Sequence, residues 1–151
     1  LSKTALPLND LVQNVVADVQ TSFDHANIKF EPPVETISLE ADGNLLRGVF
    51  YNLVKNAVEH VAGLEDLESR VVAVRVTHTP LSVRVTIHNG GTSVPEDLLA
   101  MFFEKFNTHE KQGGTGLGTT YAFLVIRAHE GEIAVTSTET EGTMVSVTLP
   151  K

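Results

Sequence analysis

The chain has no cysteine, so disulfide bridges, thiolate nucleophiles and zinc–thiolate sites are all excluded. Basic residues are scarce: 11 lysines and arginines stand against 19 aspartates and glutamates, for a formal charge of -8. No basic stripe is left to neutralise a polynucleotide backbone or an anionic bilayer, which argues against nucleic acid and direct membrane contact as partners. No apolar run approaches the roughly 20 residues that a membrane-spanning helix needs, and no charged-then-apolar leader stands at the amino end. Internal repeats and low-complexity tracts are missing as well. The first residue is Leu1 and not methionine, which leads to the expectation of a segment cut from a longer polypeptide. A reducing cytoplasm fits this composition, with the full-length protein free to carry a membrane anchor elsewhere.

What is present suffices for one filled core. A chain of 151 residues that is 42% hydrophobic is too short for two ordinary domains, so residues 1–151 are expected to form one. Leu8, Leu11, Val12, Val15, Val16 and Val19 recur at helical spacing behind a Pro7 start or an Asn9 cap, predicting a helix to about Phe23. Strands flank Pro32 and Pro33, over Ile28 to Glu31 and Glu35 to Leu39. Asp42 and Gly43 then introduce a helix over about Asn44 to Val61, with Leu46, Phe50, Leu53, Ala57 and Val61 on one face and Gly48, Asn52, Asn56 and Glu59 on a polar stripe. Val71 to His78 and Ser82 to Asn89 read as strands joined by a tight turn at Thr79 and Pro80. Asn89 shares parity with Val83, Val85 and Ile87, so its side chain points inward.

Residues Gly90 to Gly114 read as a long mobile loop with a short helix around Pro95 to Phe103, and loops of this length in compact domains are usually functional lids or disordered. A third helix follows, its buried stripe read as Leu117, Tyr121, Leu124, Val125 and Ala128, with Gly131 as its left-handed cap. Strands over Glu132 to Ser137 and Thr143 to Leu149 close the chain around a turn at Glu141 and Gly142. His25, His78, His88, His109 and His129 show no metal-ligand spacing and read as incidental.

The glycine-rich run Gly113-Gly114-Thr115-Gly116-Leu117-Gly118 opens the third helix. Glycines there let a backbone approach phosphate closely, and the unpaired N–H groups and positive dipole end of a helix's first turn then bind it. A Walker-type P-loop is absent, as are the strand and acidic partner of a Rossmann fingerprint. Three further segments precede the run in order: Asn52-Leu53-Val54-Lys55-Asn56-Ala57, Asn89-Gly90-Gly91-Thr92-Ser93-Val94-Pro95, and Phe103-Glu104-Lys105-Phe106.

As an ordered set these four boxes resemble the ATP-binding catalytic domain of sensor histidine kinases, in the superfamily shared with gyrase, Hsp90 and MutL. The resemblance covers essentially the whole chain. It implies an α+β fold, a two-layer α/β sandwich of the Bergerat type, with a mixed, mostly antiparallel sheet of about five strands packed against three helices. It implies ATP and Mg²⁺ as ligands. Asn56 would give its amide oxygen to the magnesium, which wants hard oxygen ligands and keeps several waters. Asn52 and His60 would flank the nucleotide on the same helix. Asn89 stands where most members carry aspartate to accept from the adenine amino group; its amide oxygen accepts the same bond while its nitrogen also donates. Gly91 and Val94 belong to that box, where Ser93 replaces a common second glycine. Phe103 would anchor the lid, Lys111 would reach the triphosphate, and Gly114, Thr115, Gly116, Leu117 and Gly118 would surround the phosphates. Thr143 matches the small hydroxyl residue of a C-terminal motif.

ATPase and serine-kinase branches of the superfamily place a glutamate as general base one turn before the magnesium asparagine. Here that residue is Asn52. An amide takes no proton from water or serine at neutral pH, so hydrolysis and serine phosphorylation are disfavoured. The resemblance then implies a protein-histidine kinase that presents the γ-phosphoryl to a histidine on a separate dimeric helical domain, with a response regulator downstream. The phosphoacceptor motif of such a domain does not occur in these 151 residues, so this segment is expected to bind ATP without autophosphorylating. Two alternatives stand beside this reading: a regulatory or degenerate protein-binding module of the same fold, anti-sigma-like, and an ATPase of the gyrase or Hsp90 sort.

Overall fold

The computed structural model describes residues 1–24, 26–90, 116–138 and 142–151. In chain order the elements are β1 (Thr4–Pro7), α1 (Leu8–Ser22), β2 (Asn27–Glu31), β3 (Ser38–Ala41), α2 (Gly43–Ala62), a 3-10 turn (Leu67–Ser69), β4 (Val71–His78), β5 (Ser82–Asn89), α3 (Gly116–Ala128), β6 (Glu132–Thr138) and β7 (Gly142–Pro150). A five-stranded sheet runs in the order β2-β4-β5-β7-β6, and a separate two-stranded sheet pairs β1 with β3. β2 is parallel to β4 and every other pairing is antiparallel. The sheet of five with three helices against it is the expected α+β sandwich.

Hydrophobic spacing builds the two layers. α1 buries Leu8, Val12, Val15, Val16 and Val19, and α2 buries a wide stripe that includes Leu46, Phe50, Leu53, Ala57 and Val61. The strands alternate, so Val72, Val74 and Val76 of β4 and Val83, Val85 and Ile87 of β5 enter the same core. α1 touches β2, α2 lies on β4 and β5, and α3 lies on β6. The helices thus cover one face of an otherwise antiparallel sheet.

Three local expectations change. The third strand starts at Ser38 and not Glu35, because the preceding backbone bonds elsewhere. Asn9 accepts from the Ile37 N–H at 3.0 Å and donates to the Glu35 carbonyl at 3.2 Å, while the Leu8 N–H donates to Ile37 at 2.8 Å. Asn9 is therefore a clamp on that loop; Pro7 occupies the cap position of α1, with no side-chain cap. The buried face of α3 is Ala122, Val125 and Ile126, continued by His129, whereas Leu124 is 58% exposed and Ala128 is exposed. Tyr121 is half-buried against α2, which rotates the helix away from the expected stripe.

The left-handed residue that ends α3 is Glu130, at φ 61, and not Gly131. The Gly131 N–H donates to Ile126 at 2.9 Å and the Glu130 N–H to Arg127 at 2.9 Å, the paired pattern of a Schellman ending. Gly131 is required for a different reason: a Cβ there would lie 2.4 Å from the Thr148 carbonyl oxygen. At the amino end of α2, Asp42 accepts from the Leu45 N–H at 3.2 Å and from the Ser2 N–H at 3.0 Å. These donations, Ser2 first, hold its carboxyl below the ordinary aspartate value.

Candidate functional site

Two groups of the expected site residues come to fixed places. The first lies on α2, where Asn52 and Asn56 stand one turn apart, both half-buried on the polar stripe. Lys55 and Glu59 pair beside them at 3.7 Å. His60 is exposed in the last turn. A groove of about 410 Å³ runs along this side of the helix, lined by Asn44, Arg47, Gly48, Tyr51, Asn52 and, from α3, Tyr121. Arg47 is paired with Asp18 of α1, and both are well exposed. A larger hollow of about 670 Å³ opens at the amino end of α2 beside Asp42, and neither Asn52 nor Asn56 lines it.

α3 begins at Gly116, so Gly116, Leu117 and Gly118 form its first turn, as the glycine run predicts. Its first four backbone N–H groups have no partner inside the helix, and no acidic residue stands in that turn to compete with an anion. This end of α3 approaches α2 through Tyr121. The phenol donates to the Leu45 carbonyl at 3.0 Å, and burial, then the Asp42 carboxylate, raise its pKa above the usual tyrosine value.

The second group lies at one end of the sheet. Asn89, the last residue of β5, is 5% exposed and pairs across the ladder with Val72 on one side and Thr143 on the other. The inward parity read from the sequence is correct. Its side-chain nitrogen donates to the Gly90 carbonyl at 3.3 Å. Thr143 is 9% exposed, and its hydroxyl lies 2.9 Å from that of Ser137 on β6.

Gly142, read from sequence only as a turn residue, is what lets β7 meet β5 there. Its φ is 80, and a Cβ would lie 2.2 Å from the Asn89 carbonyl oxygen and 2.8 Å from the Gly90 Cα. The expected contributions of Gly91, Val94, Phe103, Lys111, Gly114 and Thr115 fall outside the described residues, as do the lid and its short helix.

One residue that the sequence reading set aside has a defined place. His129 is 3% exposed; its Nδ1 lies 2.8 Å from the Val125 carbonyl, and its Nε2 accepts the Asp42 N–H at 3.0 Å. A carbonyl only accepts and an amide N–H only donates, so the ring is neutral with its proton on Nδ1. It ties the end of α3 to the cap of α2 and is structural, not incidental. No sequence spacing could reveal it, since its partner lies 87 positions away.

Among the described residues no group of three or more His, Asp or Glu is gathered to hold a metal ion. The half-buried amide of Asn56 fits a magnesium that takes one protein oxygen and keeps its waters, and does not suit a cation that needs a full protein cage. No helix among the described residues is long and apolar enough to cross a membrane.

The first turn of α3, Asn52 and Asn56 one turn apart on α2, and Asn89 buried at the end of β5 are the parts of the four boxes that lie among the described residues. Residues 41–151 match the family of histidine kinase-, DNA gyrase B- and HSP90-like ATPases, and the chain belongs to that family. By likeness to its relatives it is a catalytic domain of the histidine kinase type. It is 34% identical over 151 residues to sporulation kinase A of Bacillus subtilis (strain 168), a match covering 99% of this chain and 24% of that protein. It is 31% identical over 156 residues to the adaptive-response sensory kinase SasA of Gloeothece citriformis (strain PCC 7424), covering 99% and 38%. The nucleotide-free catalytic domain of histidine kinase ThkA has the same fold, with a TM-score of 0.83 at 27% identity over 100% of this chain and 97% of that one.

Proposed function

We propose that this chain is a single domain that binds Mg-ATP and presents the γ-phosphoryl to a phosphoacceptor histidine on a separate dimeric helical domain. In this reading it works in the cytoplasm, in a two-component pathway with a response regulator downstream. The observation that carries the reading is Asn52. It lies half-buried on the polar stripe of α2, one turn before Asn56, and among the described residues no carboxylate lines the groove beside it. A hydrolase or serine kinase of this family needs a base there; an imidazole nucleophile needs less help from that position.

The residues then divide the work. Asn89, buried at the end of β5, accepts from the adenine amino group, with Thr143 beside it on β7. The first-turn amides of α3 bind phosphate oxygens. Asn56 would hold the magnesium, which would supply neutralisation of the phosphate charge. Asn52 orients the phosphoryl end by hydrogen bonding without taking a proton. Positioning and charge neutralisation supply most of such catalysis.

The test uses ATP labelled at the γ-phosphate. Alone, the chain should release phosphate slowly and remain unlabelled. Joined to a histidine-bearing helical pair, it should yield an acid-labile, base-stable phosphohistidine on that pair. Rapid phosphate release by the chain alone, or label on serine, contradicts the reading. Failure to bind ATP at all would favour a protein-binding module.

A further inference from the structure

The two helices of the candidate site meet at a point with unusually little room. Gly48 lies one turn before Asn52 on α2. A Cβ at Gly48 would stand 2.6 Å from the Tyr121 hydroxyl oxygen and 3.0 and 3.1 Å from Cε2 and Cζ of the same ring. The ring therefore occupies the space that any other residue at 48 would fill. Its hydroxyl is fixed in addition by the 3.0 Å bond to the Leu45 carbonyl. Tyr121 follows Gly118 by one turn on α3, so whatever fixes the ring also fixes the first turn of that helix.

We propose that the Gly48–Tyr121 seat is a positioning device for the phosphate end of the site. It sets the separation between the first-turn amides of α3 and the stripe of α2 that carries Asn52 and Asn56. This rests on the reading that those amides hold phosphate. Two features distinguish the seat from ordinary core packing. Tyr121 is half-buried and lines the groove beside Asn52, while the buried face of α3 is carried by Ala122, Val125 and Ile126. The seat also joins the two helix segments assigned to phosphate and metal, not the part of the sheet assigned to the base.

That separation supplies the discriminating measurement. A side chain at 48 must push the ring out, breaking its bond to Leu45, or move α3 away from α2. Either change displaces the phosphate amides and leaves Asn89 where the β5–β7 ladder holds it. Titration calorimetry with Mg-ADP and with adenosine, run on the full chain, reads the two ends separately.

Gly48→Ala should weaken Mg-ADP about tenfold while adenosine changes less than about twofold, since misplacement of positioning groups by a fraction of an ångström has effects of this order. Tyr121→Phe keeps the ring and loses the hydroxyl bond, so Mg-ADP should weaken about threefold, the scale of one modest hydrogen bond. Gly48→Ala combined with Tyr121→Phe should bind Mg-ADP more tightly than Gly48→Ala alone, because the 2.6 Å contact is gone.

Unchanged Mg-ADP affinity in Gly48→Ala overturns the proposal, as does an equal loss of ADP and adenosine, which marks a purely structural seat. If Gly48→Ala does not fold, the same comparison between Tyr121→Phe and Tyr121→Leu decides, the leucine being expected to lose ADP affinity further and adenosine affinity not at all. A wild-type chain that binds no Mg-ADP overturns the nucleotide reading and this proposal with it, and is distinguished by failing before any variant is made.

Discussion

Asn89 and Thr143 reach their places through a hydrogen-bonded ladder, whereas Asn52 and Asn56 reach theirs through the packing of one helix on another. The ladder side is buried and discrete. Asn89 and Thr143 are register partners, 5% and 9% exposed, and a slip of one residue would turn both out of the core. The helix side is half-buried, and side-chain packing, not a ladder, joins α3 to α2. On the proposed assignment, the difference means that base recognition and phosphate recognition would have separate structural origins in this chain. One is set by topology, the other by side chains at a helix contact.

The largest effect that could break this comparison is expected at Gly142. Gly142→Ala places a Cβ 2.2 Å from the Asn89 carbonyl at a φ of 80. It should cost about 3 kcal/mol of stability in urea denaturation, from backbone strain and overpacking together. A loss below about 1 kcal/mol would show that the ladder relaxes and that the two sides differ less than stated.

Next comes Asn56→Ala, on the half-buried polar stripe of its helix. Stability should change by less than about 0.5 kcal/mol, while the magnesium-dependent part of ADP affinity is lost, a drop of about 30-fold. Equal affinity with and without magnesium in the wild type removes the metal assignment.

Asn89→Asp comes third. A carboxylate oxygen accepts more strongly than an amide oxygen and cannot donate, so the preference for ADP over GDP should rise by about fivefold. Unchanged affinities for both would place Asn89 outside the base pocket.

Glu130→Gly is the smallest change and the control. It relieves a non-glycine residue at φ 61 at the far end of α3 and should raise stability by about 0.5–1 kcal/mol. Nucleotide affinity should not move, because neither side of the site is touched. A parallel change in ADP affinity would mean that the whole of α3 responds as one lever.

What the sequence makes legible follows from the range of the interactions. β4 and β5 match the read boundaries residue for residue, because alternating valines and the Thr79–Pro80 turn are local signals. α2 is found to within one residue at each end from Asp42 and its apolar spacing. Asn89 is correctly turned inward because parity along a strand is local too.

Apart from the cap at Glu130, which is local, the misses are contacts distant in sequence. The start of β3 depends on Asn9, 28 positions from Ile37. The buried face of α3 is ambiguous because residues 121–126 are apolar without interruption, so periodicity cannot choose a side; Gly48, on the other helix, does. His129 and Gly142 have meaning only beside Asp42 and Asn89. Asn52, Asn56 and the glycine run are grouped as a candidate site by motif order, which carries information that single spacings do not.

The claim beneath all of this is that the two sides enclose one nucleotide site. It is tested most directly by thermal unfolding of the chain with increasing Mg-ADP. A ligand that binds the native state must raise apparent stability by mass action. The account predicts a midpoint that climbs with ligand concentration and falls back when magnesium is withheld. An unchanged midpoint at millimolar Mg-ADP would contradict it.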